Sequence, residues 1–350
     1  MSPFPASLAP VPIAALMVAL AVAGVATITQ LAARRERAHR RERMADLARH
    51  LDAGGGEGSI ADLVRLVSAA DPELFWTAIE SATLARRLPP RVVRALHAAP
   101  QLAGERRALR DDSPWRRELA ARRLALLPSR ATRHALRRAL RHGPEPVTYA
   151  AAMALARHRD GAALGWLLEH PASLAHRTPR ARFELLRAFG RAGAPRLHAA
   201  LERGVQDSAL ERAILDVLGA GAYASAAAAI ALRLTSGEAE LRLAAARALG
   251  RFRIHAAVPA LVARLADPEW TVRAQAARSL GRNGVRLAGG PAVIAALAAG
   301  LEDRAWWVRR HAAYALARLG PAGRAELERI AAASSDRYAR EMAGEALSAS

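Results

Sequence analysis

The 350-residue chain predicts an all-α fold, an α-solenoid of stacked helical hairpins behind an amino-terminal transmembrane helix, and three observations lead there. Alanine makes up about a quarter of the sequence, whereas aromatic residues make up 4%. Alanine is the strongest helix former and a poor strand residue, so a mostly β chain is excluded. Apolar residues recur four apart in block after block of the carboxy-terminal half, as one buried helix face used repeatedly would require. An uncharged run ahead of the first dense cluster of charge supplies the membrane segment.

That run, 11–33, reads VPIAALMVALAVAGVATITQLAA. As a helix rising about 1.5 Å per residue it crosses the ~30 Å hydrocarbon core. Arg34, Arg35, Arg37, Arg40, Arg41 and Arg43 follow it against only Glu36 and Glu42, and no basic residue precedes it. The positive-inside rule then places the amino terminus outside and the remaining body in the cytoplasm. A cleaved signal peptide, cut after Ala21-Val22-Ala23, is the competing reading and would export the repeat domain. The missing basic n-region and the Arg cluster beyond the apolar run oppose it. The expected organisation is a tail at 1–10, the anchor at 11–33, a basic juxtamembrane segment and Gly-rich linker at 34–58, and a helical repeat domain at 59–350. Met44, Leu47 and Leu51 share one side of the juxtamembrane segment, which either lies against anionic headgroups or continues the membrane helix in solvent. Gly54-Gly55-Gly56-Glu57-Gly58 is the linker.

The repeat is clearest at the carboxy-terminal end, where EAELRLAAARALGR from Glu238, DPEWTVRAQAARSLGR from Asp267 and DRAWWVRRHAAYALAR from Asp303 superpose. Their apolar triplets are Leu241, Ala245, Leu249; Val272, Ala276, Leu280; and Val308, Ala312, Leu316. A second short amphipathic stretch follows two of these blocks, through Val258 and Leu261 or Val293 and Leu297, so each unit is a helical hairpin. Asp267 before Pro268 predicts an N-cap, and Gly250 and Gly281 predict left-handed residues closing their helices. Backwards, the template selects Leu210, Ile214, Leu218; Ala181, Leu185, Phe189; and Val147, Ala151, Leu155. Forwards it selects Ala339, Ala343, Leu347. Around Trp115 and Leu119 the register is uncertain by one residue. Ala61 to Val67, Glu73 to Leu84 and Arg91 to Ala98 read as helices outside the repeat. Anchors return about every 29 to 36 residues, the period of stacked helix pairs.

On these residues the array resembles the HEAT-repeat family of armadillo-type superhelices, particularly the short bacterial repeats found also in phycobilin-lyase-like proteins. The resemblance covers roughly 110–350 and is strong from Glu238 onward. It implies a ladder between repeats, with Arg182, Arg242, Arg273, Arg309 and Arg340 at the basic position and Asp267, Asp303 and Asp336 at the acidic one. Thr148 and Glu211 stand where two of the arginines would be, so the ladder should be interrupted there.

Charge narrows the partner. The 52 basic residues, all arginine, outweigh 32 acidic ones for a net +20, which attracts acidic proteins, anionic headgroups or nucleic acid. The densest cluster, Arg106 to Arg141, includes Arg116, Arg117, Arg122, Arg123, Arg133, Arg137 and Arg138 as candidate partner contacts. Adjacent Trp306 and Trp307 lie about 100° apart on a helix, so both cannot face one core, and they join the candidates. Structural uses compete with each of these: a solvated helix face for the arginines, cover for a neighbouring loop and the terminal cap for the tryptophans.

Zero cysteines exclude disulfides and thiolate chemistry. No HExxH, GxSxG or phosphate loop is present, and Glu169-His170 and His158-Arg159-Asp160 are pairings a charged helical chain produces by chance. The expectation is therefore a membrane-anchored adaptor that binds a protein partner, such as a membrane enzyme or assembly, without a cofactor, metal or catalytic site. A nucleic-acid- or phosphate-binding solenoid is second, and a lyase-like enzyme third.

Overall fold

The computed structural model of the protein describes residues 71–85, 90–252, 254–283 and 290–349, with isolated positions between 30 and 69. The expected anchor, apart from its last few positions, lies outside the described residues. So do Met44, Leu47, Leu51, the Gly-rich linker and the helix read from Ala61 to Val67. Among the described residues no helix is long and apolar enough to cross a membrane. The chain divides into two units, one ending at Asp111 and including Leu126–Ser129, the other comprising Asp112–Ala125 and Arg130–Ser350.

The first unit contains α1 (Pro72–Ala85), α2 (Pro90–His97) and α3 (Pro100–Ala108); the first two match the helices expected from Glu73 and Arg91, and α3 is a further one. Asp71 starts α1 by accepting hydrogen bonds from the Glu73 and Leu74 amides at 3.0 and 3.2 Å. Phe75, Trp76, Ile79, Val92, Leu96 and Leu102 are buried.

The second unit is an all-α, HEAT-like solenoid. One row of helices comprises α4 (Pro114–Leu124), α6 (Glu145–Arg157), α8 (Pro179–Ala188), α10 (Ser208–Ala220), α12 (Ala239–Phe252), α14 (Trp270–Asn283), α16 (Trp306–Ala317) and α18 (Arg337–Ser348). Alternating with them are α5 (Arg130–His142), α7 (Gly161–Glu169), α9 (Ala194–Arg203), α11 (Ala227–Leu232), α13 (Val258–Ala263), α15 (Pro291–Ala299) and α17 (Pro321–Ala333). Members of the first row pack directly against one another from α4 to α18. The triplets read from the sequence form this seam: Leu241, Ala245, Leu249, Val272, Ala276, Leu280, Val308, Ala312 and Leu316 are all buried. In α4 the seam runs through Ala120 and Leu124, while Trp115 is 64% exposed, which resolves the one-residue ambiguity against Trp115.

Gly250 and Gly281 do not close helices. They lie inside α12 and α14, respectively, and among the described residues the glycines with positive φ are Gly190, Gly204 and Gly320. What those two positions require is absence of a side chain: a Cβ on Gly281 would stand 2.8 Å from the Ala315 Cα, and one on Gly250 would collide with Ser279. Gly219 is the same device one helix earlier, where a Cβ would stand 2.6 Å from the Ala248 Cβ. Three consecutive interfaces of the row thus rest on backbone-close contact. The spacing-of-four pattern alone reports only which face is buried, so it could not separate this use of glycine from a helix end.

The expected ladder exists in part. Arg242 Nε and Nη2 donate to Asp267 at 2.8 and 2.9 Å, and Nη1 donates to the Ser236 and Gly237 carbonyls. One repeat on, Arg273 grips Asp303 at 2.6 and 2.8 Å and the Asp267 and Pro268 carbonyls in the same way. Asp267 therefore spends its carboxylate on Arg242 and the Glu269 amide, three residues ahead of α14, rather than as that helix's N-cap. The last rung is missing: Arg309 keeps its Asp303 carbonyl contact, but Asp336 caps α18 through the Tyr338 amide. At Glu211 the ladder is inverted instead of broken, because Arg233 donates to the Glu211 carboxylate at 2.8 Å. Sequence position showed the lost arginine there; the compensating one lies on another element.

Candidate functional site

The arginines between Arg106 and Arg141 are largely engaged by their own fold. Arg137 donates to both oxygens of Asp160, with Nη2 to Oδ2 at 2.7 Å, and Arg133 Nε lies 3.9 Å from the same carboxylate. Asp160 is 4% exposed and also caps α7 through the Ala163 amide at 3.0 Å. Burial pushes its carboxyl up, but the Arg137 and Ala163 hydrogen bonds and the two guanidinium charges outweigh that and hold it below the usual carboxylate range. Arg122 pairs with Glu118, Arg123 is buried, Arg116 lies over the Trp115 ring at 5.8 Å, and Arg117 is half-buried. Arg138 is exposed. The carboxylate that gathers Arg133 and Arg137 sits more than twenty residues downstream, which is why a count along the chain made the cluster look open.

His158 and His170 are likewise engaged by their own fold. His158 Nε2 meets the Ala125 carbonyl at 3.2 Å, and burial, with the Arg133 charge, holds its pKa below the ordinary histidine value despite the raising effect of that bond. His170 stacks on Trp166 with centroids 4.4 Å apart.

Trp306 and Trp307 are both exposed, 45% and 49%, and meet edge to face at 4.7 Å. They have company. Trp270 at the start of α14 and Tyr338 at the start of α18 are 43% and 59% exposed, so three successive helices of the row each present an aromatic ring in the first turn. The superposition of repeats places Trp270 on Trp306, and that alignment was the available signal for a residue the dipeptide drew attention away from.

Further along the same helices lies a second feature. Arg278 and Arg282 on α14 face Trp307, Arg310, His311 and Tyr314 on α16, and Arg318 just past its end, across a cleft of about 530 Å³. Trp307, His311, Tyr314 and Arg318 follow one another at intervals of four, three and four, one face of α16. Arg310 and the Tyr314 hydroxyl both donate to Glu345 Oε1 from α18, at 2.5 and 2.9 Å. On the other side, α10 and α12 neutralise each other through Arg212 with Glu240 at 2.9 Å and Arg247 with Asp216 at 3.1 Å. Between these two paired zones Arg251, Arg278, Arg282 and Arg318 have no carboxylate partner among the described residues. Burial and the charges of Arg278, Arg251 and Arg318 push the Arg282 guanidinium down from its ordinary value, and burial with Arg278, Arg310 and Arg318 does the same to His311. The arrangement concentrates positive charge beside aromatic surface. Among the described residues no group of histidine, aspartate or glutamate is arranged to hold a metal ion.

Residues 226–317 and 258–348 match the family described as HEAT repeats. A comparison with curated protein sequences gives no match. Among solved structures the chain is similar to an engineered protein at 22% identity, covering 88% of this chain and 94% of that one with a TM-score of 0.41. It is similar to human deoxyhypusine hydroxylase in complex with glycerol at 20% identity, covering 79% and 97%, with a TM-score of 0.31. It is also similar to the karyopherin Kap121p bound to the extreme C-terminus of the protein phosphatase Cdc14p, at 15% identity, 81% and 37% coverage and a TM-score of 0.50. Likenesses at this level of identity concern the fold alone.

Proposed function

We propose that the protein is a scaffold that binds a partner protein through the exposed row of its HEAT-like repeats, held at a membrane by the segment 11–33. The observation that carries the reading is the recurrence of exposed Trp270, Trp306, Trp307 and Tyr338 at the heads of three consecutive helices. Chance exposure scatters large rings singly, whereas exposed rings repeated in the first turns of adjacent repeat helices are of the kind that anchors interfaces. Repeat arrays supply extended binding surfaces, and the role we propose is binding. The Kap121p structure, bound to the end of another protein, accords with that use of the fold.

The apolar composition of 11–33 and the arginines beginning at Arg34 support the anchor and a cytoplasmic repeat domain. Tethering raises the local concentration of the surface near its target, so modest affinity suffices. Photocrosslinkers placed at Trp270, Trp306 and Tyr338 in membranes test the binding surface. The reading expects one defined protein captured from these positions and not from Arg138 on the upstream helices. Salt-sensitive recovery of nucleic acid in its place would refute it. Alkaline extraction and protease protection in spheroplasts test the anchor, which predicts retention in the membrane and a protected repeat domain.

A further inference from the structure

We infer that the arginines left unpaired across α12, α14 and α16 form a binding site for an extended acidic peptide segment of another protein. The inference rests on the scaffold reading above and names the chemistry of what is bound.

The face itself shows what its arginines take. At either edge of the unpaired zone the charge is met by a carboxylate reaching across from the neighbouring helix: Asp216 and Glu240 on one side, Glu345 on the other. Glu345 is bound by a guanidinium and a tyrosine hydroxyl together, so two side chains that line the cleft, Arg310 and Tyr314, already hold a carboxylate in the chain's own structure. Arg278, Arg282 and Arg318 continue the same surface with no such partner among the described residues. Crowded, mutually repelling guanidinium groups, with Arg278 and Arg318 exposed and Arg282 half-buried, favour an anion, and planar carboxylates satisfy them bidentately. The lowered pKa of Arg282 agrees with this crowding.

Spacing selects an extended chain. Arg251, Arg282 and Arg318 hold equivalent positions on successive helices, each following the Leu249, Leu280 and Leu316 seam residue by two. Packed helices stand about 8–10 Å apart. A polyproline-type strand rises about 3.1 Å per residue with three residues per turn, so every third side chain points the same way about 9 Å on. Carboxylates at every third residue of such a strand meet one arginine per repeat.

Other anionic occupants fit less well. Single-stranded nucleic acid uses open aromatic faces as stacking platforms. Here His311 stacks on Trp307 at 6.0 Å and the Trp306 edge abuts it, while Arg310 covers the Tyr314 ring at 4.7 Å. A second copy of the chain carries the same net charge of +20 and is repelled.

The test is fluorescence anisotropy on the full-length chain in neutral detergent. The probes are a labelled Pro- and Ser-rich peptide with glutamate at every third position, and a labelled oligothymidylate of equal charge. The variants are Arg278→Gln/Arg282→Gln/Arg318→Gln and a charge-matched control, Arg138→Gln/Arg141→Gln/Arg157→Gln, with single Arg278→Gln as a milder change should the triple variant lose its helical circular dichroism. The expected result is peptide binding that the cleft triple weakens at least about tenfold and the control by less than about threefold, with oligothymidylate bound more weakly than the peptide. Equal losses in both triples, tighter binding of oligothymidylate, or no peptide binding by the parent overturns the proposal. The two readings fail separately. A crosslinked partner captured equally by the cleft triple leaves the scaffold standing and removes this site. Cleft-dependent peptide binding with no protein captured from the aromatic heads removes the scaffold surface and keeps the carboxylate site.

Discussion

Arg273 and Arg278 stand five residues apart on α14 and live in opposite worlds. Arg273 is 7% exposed, gripped by both oxygens of Asp303 and by two backbone carbonyls. Arg278 is exposed, lines a cleft with three further arginines and meets no carboxylate among the described residues. The same contrast separates Arg242 from Arg251 on α12. In a repeat helix, then, position around the axis decides whether an arginine fastens one repeat to the next or stays available to something else. Counting charge along the chain cannot make that distinction.

The fastening arginines carry the largest expected effects. Arg242→Ala leaves the Asp267 carboxylate buried with the Glu269 amide and, as its remaining cation, the more distant Arg264 at 3.4 Å, and should cost about 3–5 kcal/mol in chemical denaturation. The face arginines should behave in the reverse way: Arg278→Gln should change stability by no more than about 0.5 kcal/mol. A large loss from Arg278→Gln would erase the contrast. Next comes the close packing between those helices. Gly250→Ala forces a methyl into Ser279 and should cost about 1–3 kcal/mol, whereas the same change at Gly344, which has open space around it, should not destabilise. Asp160→Ala, which releases Arg133 and Arg137 and removes the α7 cap, should cost about 1–3 kcal/mol and mark the upstream cluster as structural.

pH sharpens the comparison with a smaller effect. Asp267 and Asp303 are pushed up by burial but held down more strongly by their arginines and by backbone amides, so their carboxyls stay ionised below the usual range. A depressed carboxyl contributes stability that is complete above its unfolded value of about 3.9 and disappears as pH falls through the folded value. The rungs should therefore persist on mild acidification. His158 has the opposite consequence: its lowered pKa means the unfolded chain takes up the proton first, so stability should decline as pH drops below about 6.5. His158→Gln should flatten that decline in a pH series of melting curves, with the aspartate rungs intact.

Much of the fold was legible because burial imposes a period. The Leu241, Val272 and Val308 seams and the hairpin partners through Leu261 and Leu297 are buried where the spacing placed them. What escaped were facts about pairs of distant residues. Gly250 is written like a helix end, yet its neighbour Ser279 gives it its purpose. Glu211 reads as a broken rung until Arg233 is brought to it, and Arg137 reads as open until Asp160 folds back. Of the candidate site, Trp306 and Trp307 were visible as an unusual dipeptide, whereas Arg278, Arg282 and Arg318 hide inside the repeat's own consensus-like ending. Only the carboxylates on either side reveal which arginines have none.

The most direct test is the melting temperature of the full-length chain with and without a saturating acidic peptide, run on the parent and on Arg278→Gln/Arg282→Gln/Arg318→Gln. A ligand that binds only the folded state raises the melting point, and the account predicts a clear rise for the parent and a markedly smaller one for the triple variant at the same peptide concentration. An equal rise in both would show that the peptide is held elsewhere, and the distinction between fastening and available arginines would lose its functional meaning.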